Sequence, residues 1–224
     1  MLIICDFDGT VSARDTNSQL ARHFAADATA ALEGRLAARE LSVRQVLQAE
    51  FEGVEALLDE VLDLALTIPL RDGFAEFLDA AQAGGHDVVL LSSGFRQIIE
   101  PMLQHAGVGG RVPLIANDIE FTGTAEGAHI TWRDLPTCAI CGEACKRHEV
   151  GEMRHEVRHG GERTDLVVFV GDGFSDRCGA DVADRIFARD SLADWLDGQS
   201  VAWEAWNDFH DISQALGLTT TAGA

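Results

Sequence analysis

The chain has 224 residues, 46% of them hydrophobic, and a formal net charge of −20 at pH 7. This length and apolar content predict one α/β core with a small insertion and enough chain to bury a sizeable interior. The charge argues against nucleic acid and anionic membranes as partners, and no apolar run approaches the roughly 20 residues of a spanning helix. Because the first predicted strand begins at Leu2, a signal peptide has no room, and we expect a cytoplasmic protein.

The first predicted element is a short buried strand at residues 2–5, followed by D-F-D-G-T at residues 6–10. Asp6 and Asp8 would lie at the carboxyl end of this strand, before a flexible Gly-Thr turn. Two carboxylates suit a core poorly, but they suit a metal site with a nucleophile beside it. Since Asp is also common in ordinary turns after strands, the choice between these interpretations depends on the rest of the chain.

The next segment is predicted to be helical, because apolar residues recur with helical spacing and no convincing strand occurs. We interpret it as a cap inserted just after the first motif, with Pro69 and Gly73 marking the return to the core. The predicted division is a core of residues 1–13 and 72–218, a helical cap of residues 14–71, and a disordered tail of residues 219–224.

A second buried strand is predicted at residues 87–95, ending in Ser92, Ser93 and Gly94. Small hydroxyl side chains and Gly at a strand end leave backbone N–H groups free to face an anion. One of the two serines is also expected to cap the helix that follows. The elements predicted next are a short strand at residues 112–116 and a β-hairpin at residues 118–132.

The cysteines do not resemble a disulfide framework, because there are five of them and Cys5 lies in a predicted buried strand. Cys138, Cys141 and Cys145, with His148 nearby, have a spacing that could bind zinc. A full zinc ribbon would need a second C-x-x-C pair, which the sequence lacks. The favoured interpretation is a tight loop with reduced thiols that positions the lysine after it, and a structural metal is the alternative.

Lys146 is the single lysine among 17 basic residues. A compact ammonium fits a tight pocket between a phosphate oxygen and a carboxylate, whereas the planar fork of Arg is bulkier. Lys146 also opens a stretch in which Val150, Met153 and Val157 recur with helical spacing, and a helix N-terminus attracts anions. The alternative is one surface lysine that survived by chance.

The last informative segment is L-V-V-F-V-G-D-G-F-S-D at residues 166–176. Its apolar half predicts a buried parallel strand, and the loop after it carries Asp172 and Asp176. Because ligands bind at the carboxyl ends of strands in open α/β sheets, these carboxylates should meet the polar groups of the earlier segments.

In order, these segments resemble the four motifs of the haloacid dehalogenase superfamily of phosphatases. The resemblance implies a Rossmann-like α/β core, a parallel sheet flanked by helices, with a small inserted helical cap of the C1 type. It implies that Asp176 orients Lys146 or a metal-bound water, with Ser175 beside it where phosphoserine phosphatases usually carry Asn. The other implied roles are nucleophile for Asp6, acid and base for Asp8, phosphate binding for Ser92, Ser93, Gly94 and Lys146, and Mg²⁺ binding for Asp6, Asp8 and Asp172.

The resemblance further implies Mg²⁺-dependent hydrolysis of a small phosphorylated metabolite through an aspartyl-phosphate. Short matches at C-G-E-A-C-K, Pro101 and I-F-A-R-D-S-L favour the methionine-salvage ester 2-hydroxy-3-keto-5-methylthiopentenyl 1-phosphate over phosphoserine. Phosphoserine phosphatases hold the amino-acid end with a cap-entrance Glu and a cap Arg; Asp15 occupies the acidic position here. The candidates for the basic partner are Arg22, Arg35, Arg39 and Arg44.

A phosphoserine phosphatase-like enzyme is therefore the first alternative. More remote alternatives are a non-catalytic sensor of a phosphate ligand and a zinc-dependent interaction module built on the cysteine loop.

Overall fold

The computed structural model describes residues 1–159 and 166–218, within which seven strands form one sheet accompanied by ten α-helices. The tail and the Val157 side chain lie outside what is described. None of the helices in these two ranges has the length and apolar character needed to cross a membrane. The strands are β1 (Leu2–Cys5), β2 (Asp87–Phe95), β3 (Leu114–Phe121), β4 (Ala128–Thr131), β5 (Val167–Gly171), β6 (Arg185–Ala188) and β7 (Glu204–Ala205). The helices are α1 (Thr16–Phe24), α2 (Ala26–Ala37), α3 (Val43–Phe51), α4 (Leu58–Ala65), α5 (Phe74–Ala83), α6 (Arg96–His105), α7 (Lys146–His159), α8 (Arg177–Ala180), α9 (Asp190–Gln199) and α10 (Phe209–Leu216).

The sheet has the strand order β4-β3-β2-β1-β5-β6-β7, and every neighbouring pair is parallel except β3 and β4. β1 lies at the centre, where Cys5 is opposite Leu90 of β2 and Val170 of β5. Parallel strands are covered on both faces, which explains why β1 and β5 are continuous apolar runs in the sequence. The predicted α/β fold with a mainly parallel sheet is confirmed.

Alternate residues of β1 face two different hydrophobic clusters. Ile3 and Cys5 belong to the larger cluster, whereas Leu2 and Ile4 belong to the smaller one. Successive side chains of a strand point to opposite faces, so β1 is packed on both sides. This packing fixes the position of the residue that follows Cys5.

Helices α1 to α4 lie between β1 and α5 in the sequence. The segment that leads into them and the segment that follows them run side by side. Ser12 and Leu70 form an antiparallel bridge, and the Arg71 N–H donates to the Val11 carbonyl at 2.8 Å. The helical content agrees with the expectation for residues 14–71. The division of the chain into core and cap stays a prediction.

Two local expectations were wrong. Neither Ser92 nor Ser93 caps α6: β2 stays extended through Phe95, which occupies the N-cap without a side-chain hydrogen bond. The backbone is held extended because Phe95 still pairs with Asn117 of β3. The strand expected at residues 112–116 and the first arm of the hairpin are one strand, β3, because one edge pairs with β2 and the other with β4.

Candidate active site

Four polar segments meet at the carboxyl ends of the central strands. Asp6 follows β1, Ser92 lies near the end of β2, and Asp172 follows β5. Lys146 is the first residue of α7, as the helical spacing predicted. Parallel neighbours present their carboxyl ends at the same edge of a sheet, so the order of the strands brings these segments together.

Lys146 lies buried between two carboxylates. Its Nζ is 2.5 Å from Asp6 Oδ1 and 2.7 Å from Asp176 Oδ1, and 1% of its side chain is exposed. Burial by itself would lower the pKa of Lys146, but the charges of Asp176 and Asp6 outweigh it and raise that pKa above its ordinary value. The ammonium therefore stays charged and held in place.

Asp6 is buried at the end of β1 and is held by two donors. Its Oδ1 accepts a hydrogen bond from the Phe7 N–H at 2.7 Å and pairs with Lys146. Burial raises the pKa of Asp6 well above its usual range, and the charge of Asp176 raises it further while Lys146 lowers it. Positive charge placed near this carboxylate would favour its ionised form.

Asp176 uses both carboxylate oxygens within the site. Oδ1 pairs with Lys146, while Oδ2 accepts hydrogen bonds from the N–H groups of Asp172 and Gly173, each at 3.0 Å. The side chain is fully buried. Asp176 therefore links the lysine to the loop after β5, and its orienting role stays a prediction.

Asp8 is held by two side chains from different elements. Its Oδ2 accepts hydrogen bonds from Asn17 Nδ2 at 2.9 Å and from Ser92 Oγ at 3.1 Å. Burial is the main cause that raises the pKa of Asp8 to about 7, and the charge of Asp15 adds to it. A carboxyl group with a pKa near neutrality is suited to give and take a proton.

Gly94 packs directly against this arrangement. A Cβ at this position would come within 2.6 Å of Asp8 Oδ2 and 2.8 Å of Asn17 Nδ2. The Gly94 N–H donates to Ser92 Oγ at 2.8 Å. In this structure the N–H is therefore directed at the hydroxyl of Ser92, and the glycine leaves room for the acid.

Three carboxylates form a group that fits a divalent cation. Oxygen atoms of Asp6, Asp172 and Asp176 lie within 4.8 Å of one another. Thr10 Oγ1 donates to Asp172 Oδ1 at 2.7 Å, and a Cβ at Gly9 (φ 78°) would overlap the Asp172 carboxylate. Burial, followed by the charge of Asp176, raises the pKa of Asp172 to about 8. Closely spaced carboxylate oxygens are ligands that Mg²⁺ prefers.

A cavity of about 140 Å³ opens onto Asp6 and Asp8. Ser93 and Ser175 line it, and so does Asp15, whose Oδ1 caps α1 by accepting from the Ser18 N–H at 2.9 Å. Helices α2 and α3 contribute Leu36, Val43, Val46, Leu47 and Glu50 to the lining.

Several positioning residues carried no signal in the sequence. Asn17, in the first turn of α1, reaches Asp8. Arg71 donates from Nε to the Thr10 carbonyl at 2.9 Å and from Nη2 to the Gly9 carbonyl at 2.6 Å. Arg133 donates from Nη1 to the Ser92 carbonyl at 2.8 Å. Each of these residues belongs to a segment without a recognisable motif and is distant in sequence from the residue that it contacts. The one available signal was the position of Arg71 close to Pro69 and Gly73, which mark the predicted return to the core.

The cysteine loop lies next to this site, and the group of sulfur atoms there includes a cysteine that the sequence did not indicate. The Sγ atoms of Cys138, Cys141 and Cys145 lie within 4.8 Å of one another, together with that of Cys178. His148 is exposed on α7 and is not a member of this group. The cysteine that joins the three of the loop is Cys178, from the helix after Asp176, and not the His148 that the sequence placed near them.

Comparison with known proteins defines the class. Residues 3–181 match the family model of the haloacid dehalogenase-like hydrolases. This chain belongs to that family.

Curated relatives and solved structures extend the comparison. The chain is 27% identical to the 2-hydroxy-3-keto-5-methylthiopentenyl-1-phosphate phosphatase of Brevibacillus brevis, over 96% of this chain and 95% of that protein. A protein of the same name from Microcystis aeruginosa is also 27% identical, over 96% of this chain and 97% of its own length. A phospho-aspartyl intermediate analogue of phosphoserine phosphatase has the same fold, with a TM-score of 0.70 and 18% identity over 96% and 97% of the two chains. The expectation of a phosphatase in this family is confirmed.

Proposed function

We propose that this chain is a Mg²⁺-dependent phosphatase that hydrolyses a small phosphorylated metabolite through a covalent phosphate on Asp6. The observation that carries the proposal is the buried arrangement in which Lys146 bridges Asp6 and Asp176, with Asp8 beside it. Such an arrangement is suited to hold and neutralise a transferring phosphoryl group. A mere sensor of phosphate would have no need for a proton donor with a pKa near 7.

In the first step Asp6 attacks the phosphorus and the bond to the leaving oxygen breaks. Since Oδ1 is held by Lys146 and the Phe7 N–H, we assign the attack to Oδ2. Asp8 gives its proton to the leaving alkoxide. Lys146 and the N–H groups near Ser93 hold the oxygens that do not react, while the Ser92 hydroxyl stays on Asp8.

In the second step Asp8, now a carboxylate, takes a proton from the water that attacks phosphorus. The bond from phosphorus to Asp6 breaks, which releases inorganic phosphate and regenerates the free carboxylate. Acid–base help of this kind contributes about 10²–10⁴-fold to the rate. Asn17 and Ser92 both donate to Oδ2 of Asp8, which leaves Oδ1 to carry the proton in both transfers.

A Mg²⁺ ion would be held by the carboxylates of Asp6 and Asp172 and by the backbone carbonyl of Asp8. When bound, it supplies positive charge that neutralises the transferring phosphoryl group. The burial and mutual repulsion of the carboxyl groups support this assignment, because the one ammonium of Lys146 faces four of them. Asp176 is assigned to orientation, since its two oxygens already have protein donors.

The lining of the cavity favours the methionine-salvage ester over phosphoserine. Val43, Val46 and Leu47 of α3 offer apolar contacts that suit a methylthio chain. None of the described residues lining this cavity is Arg or Lys, so it offers no cationic side chain of its own to the carboxylate of phosphoserine. The relatives named for this ester support the same choice.

The candidate arginines are absent from the lining of this cavity, although Arg39 and Arg44 line the one that adjoins it. Arg35 pairs with Glu40 at the surface, and Arg44 donates to the Arg133 carbonyl at 3.1 Å. Arg39 and Arg44 line a neighbouring cavity of about 300 Å³ beside the cysteine loop. Arg22 is not among the residues lining either cavity.

The test is phosphate release from a panel of phosphorylated metabolites with and without Mg²⁺. We expect Mg²⁺-dependent turnover, a higher kcat/KM for the methylthiopentenyl ester than for phosphoserine, and no turnover by Asp6→Asn. Acid quenching followed by borohydride reduction should convert phosphorylated Asp6 to homoserine, detected by peptide mass spectrometry. A preference for phosphoserine would overturn the substrate assignment, and turnover by Asp6→Asn would overturn the mechanism.

A further inference from the structure

Four cysteines that the proposed chemistry does not use form a compact group beside the active site. The Sγ atoms of Cys138, Cys141, Cys145 and Cys178 all lie within 4.8 Å of one another. In a tetrahedral zinc site with Zn–S bonds of about 2.3 Å, neighbouring sulfurs are about 3.8 Å apart. The group therefore has nearly the dimensions of a zinc-thiolate site, with four ligands and no carboxylate or imidazole among them.

The backbone of the loop is shaped to present two of these sulfurs. The Gly142 N–H donates to the Cys138 carbonyl, and the Cys138 N–H donates to the Glu143 carbonyl, each at 2.9 Å. Gly142 has φ 79°, a conformation that favours glycine, so the chain can reverse immediately after Cys141. The Ile140 N–H is directed at Cys138 Sγ at 3.4 Å. An N–H aimed at sulfur stabilises a thiolate, which is the form that binds metal.

The surroundings offer positive charge for such a site. Four thiolates around Zn²⁺ carry a net charge of −2. Arg39 and Arg177 line the cavity that also contains Cys141, Cys145 and Cys178. Arg177 stacks over the Phe174 ring at 4.2 Å, which keeps its guanidinium next to Cys178.

We propose that Cys138, Cys141, Cys145 and Cys178 bind one structural Zn²⁺ ion, separate from the carboxylate site. Binding exchanges the four thiol protons for the metal, with no change in oxidation state. A closed site of four sulfurs leaves no open position, so the ion has a structural role rather than a catalytic one.

The position of the site gives this zinc a further role. Cys145 immediately precedes Lys146, and Cys178 lies two residues after Asp176. A metal bound to both cysteines would tie the start of α7 to the turn that carries the partner of the lysine. The zinc site therefore positions the pair of Lys146 and Asp176, whose Nζ and Oδ1 are 2.7 Å apart.

The experiment measures the metal content of the untagged, full-length protein, purified without added metal, by plasma mass spectrometry. We expect about one zinc per chain. We expect Cys141→Ser and Cys178→Ser to lose it, whereas Cys5→Ala, which removes a thiol outside the group, and His148→Ala retain it. Zinc that persists in Cys178→Ser but is lost from His148→Ala would overturn the ligand set.

Wild-type protein gives an answer that does not depend on the folding of variants. Replacement of the metal with Co²⁺ should give the intense d–d and charge-transfer bands of tetrahedral cobalt bound to four thiolates. Release of zinc by a mercurial thiol reagent should be stoichiometric with modification of the four cysteines. Protein that contains no zinc, with four free thiols or with disulfides found by peptide mapping, would overturn the proposal. These measurements do not depend on phosphatase turnover. A protein without zinc would overturn only this proposal, and a protein without turnover would overturn only the proposed function.

Discussion

At the scale of single residues, the geometry around Asp8 depends on the absence of one carbon atom. The missing Cβ of Gly94 leaves space that the carboxylate of Asp8 and the amide of Asn17 fill. The backbone of Gly94 does not have a positive φ, so sterics alone, and no backbone strain, should determine the effect of a larger residue.

We expect Gly94→Ala to lower kcat by about 10²–10⁴-fold, because the methyl group displaces the acid from its position. The matched control is Gly198→Ala in α9, where a Cβ would meet no atom within 4 Å. Steady-state kinetics and circular dichroism of both variants check this. Normal turnover by Gly94→Ala would contradict the assigned position of Asp8.

The ion pairs of this chain should differ strongly in their contribution to stability. Asp176→Asn removes one of the two carboxylates that balance the charge of Lys146 in a fully buried position. We therefore expect a loss of about 3–5 kcal/mol in the free energy of unfolding. Asp181→Asn removes the partner of Arg147 where both side chains are partly exposed, and should cost less than about 1 kcal/mol. Urea unfolding of the two variants compares them, and equal losses would refute the distinction.

Residue identity at the site was predictable where a residue ends a strand. Asp6, Ser92 and Asp172 follow apolar runs in the sequence, and parallel pairing then brings them together. Asn17 and Arg71 were not predictable, because no local pattern says that a helix or a cap exit will fold back onto residues 8–10.

At the scale of elements, we expect α3 to influence which substrates fit. Val43 of α3 lines both the active-site cavity and the neighbouring one. The helix begins with a capping box between Ser42 and Gln45, so its first turn is firmly placed. Small changes in its side chains should therefore alter recognition while the strand ends below stay in place.

We expect Val43→Thr to lower kcat/KM for the methylthiopentenyl ester by about 5–30-fold, because a hydroxyl buried against an apolar chain costs roughly 1–2 kcal/mol. The value for phosphoserine should change less. The ratio of the two kcat/KM values is the measurement, since it cancels any loss of folded enzyme. An unchanged ratio would show that α3 does not contact the part of the substrate that is selected.

Element boundaries were predicted correctly where the hydrophobic periodicity is strong. The predictions failed where pairing between strands decides the boundary. Lys146 begins α7 as its helical spacing indicated. The serines did not cap α6, because pairing with β3 keeps the end of β2 extended. Local propensity cannot predict such a tertiary effect.

At the scale of the whole molecule, a small part of the excess of acidic residues is buried in the active site, where burial and mutual repulsion oppose ionisation. A cation that binds there stabilises the folded state by mass action. Mg²⁺ at about 100 times its dissociation constant contributes about 2.7 kcal/mol. For a chain of this size that corresponds to a rise of about 5–10 °C in Tm.

We therefore expect Tm to rise as Mg²⁺ is titrated into nominally Mg²⁺-free protein. Asp172→Asn, which removes one proposed ligand, should abolish most of this rise. Differential scanning fluorimetry of both proteins gives the comparison, and no chelator is used, so the cysteine site is not disturbed. An equal rise in the variant would argue that Mg²⁺ binds elsewhere.

The bridge between Ser12 and Leu70 has an evolutionary consequence. Since the outgoing and returning chains run side by side there, the helices between them can be lengthened, replaced or removed without pulling β1 away from its neighbours. Arg71 secures the same junction by holding the carbonyls of Gly9 and Thr10. Selection can thus change the helices that follow this junction, while the residues at the strand ends stay in place.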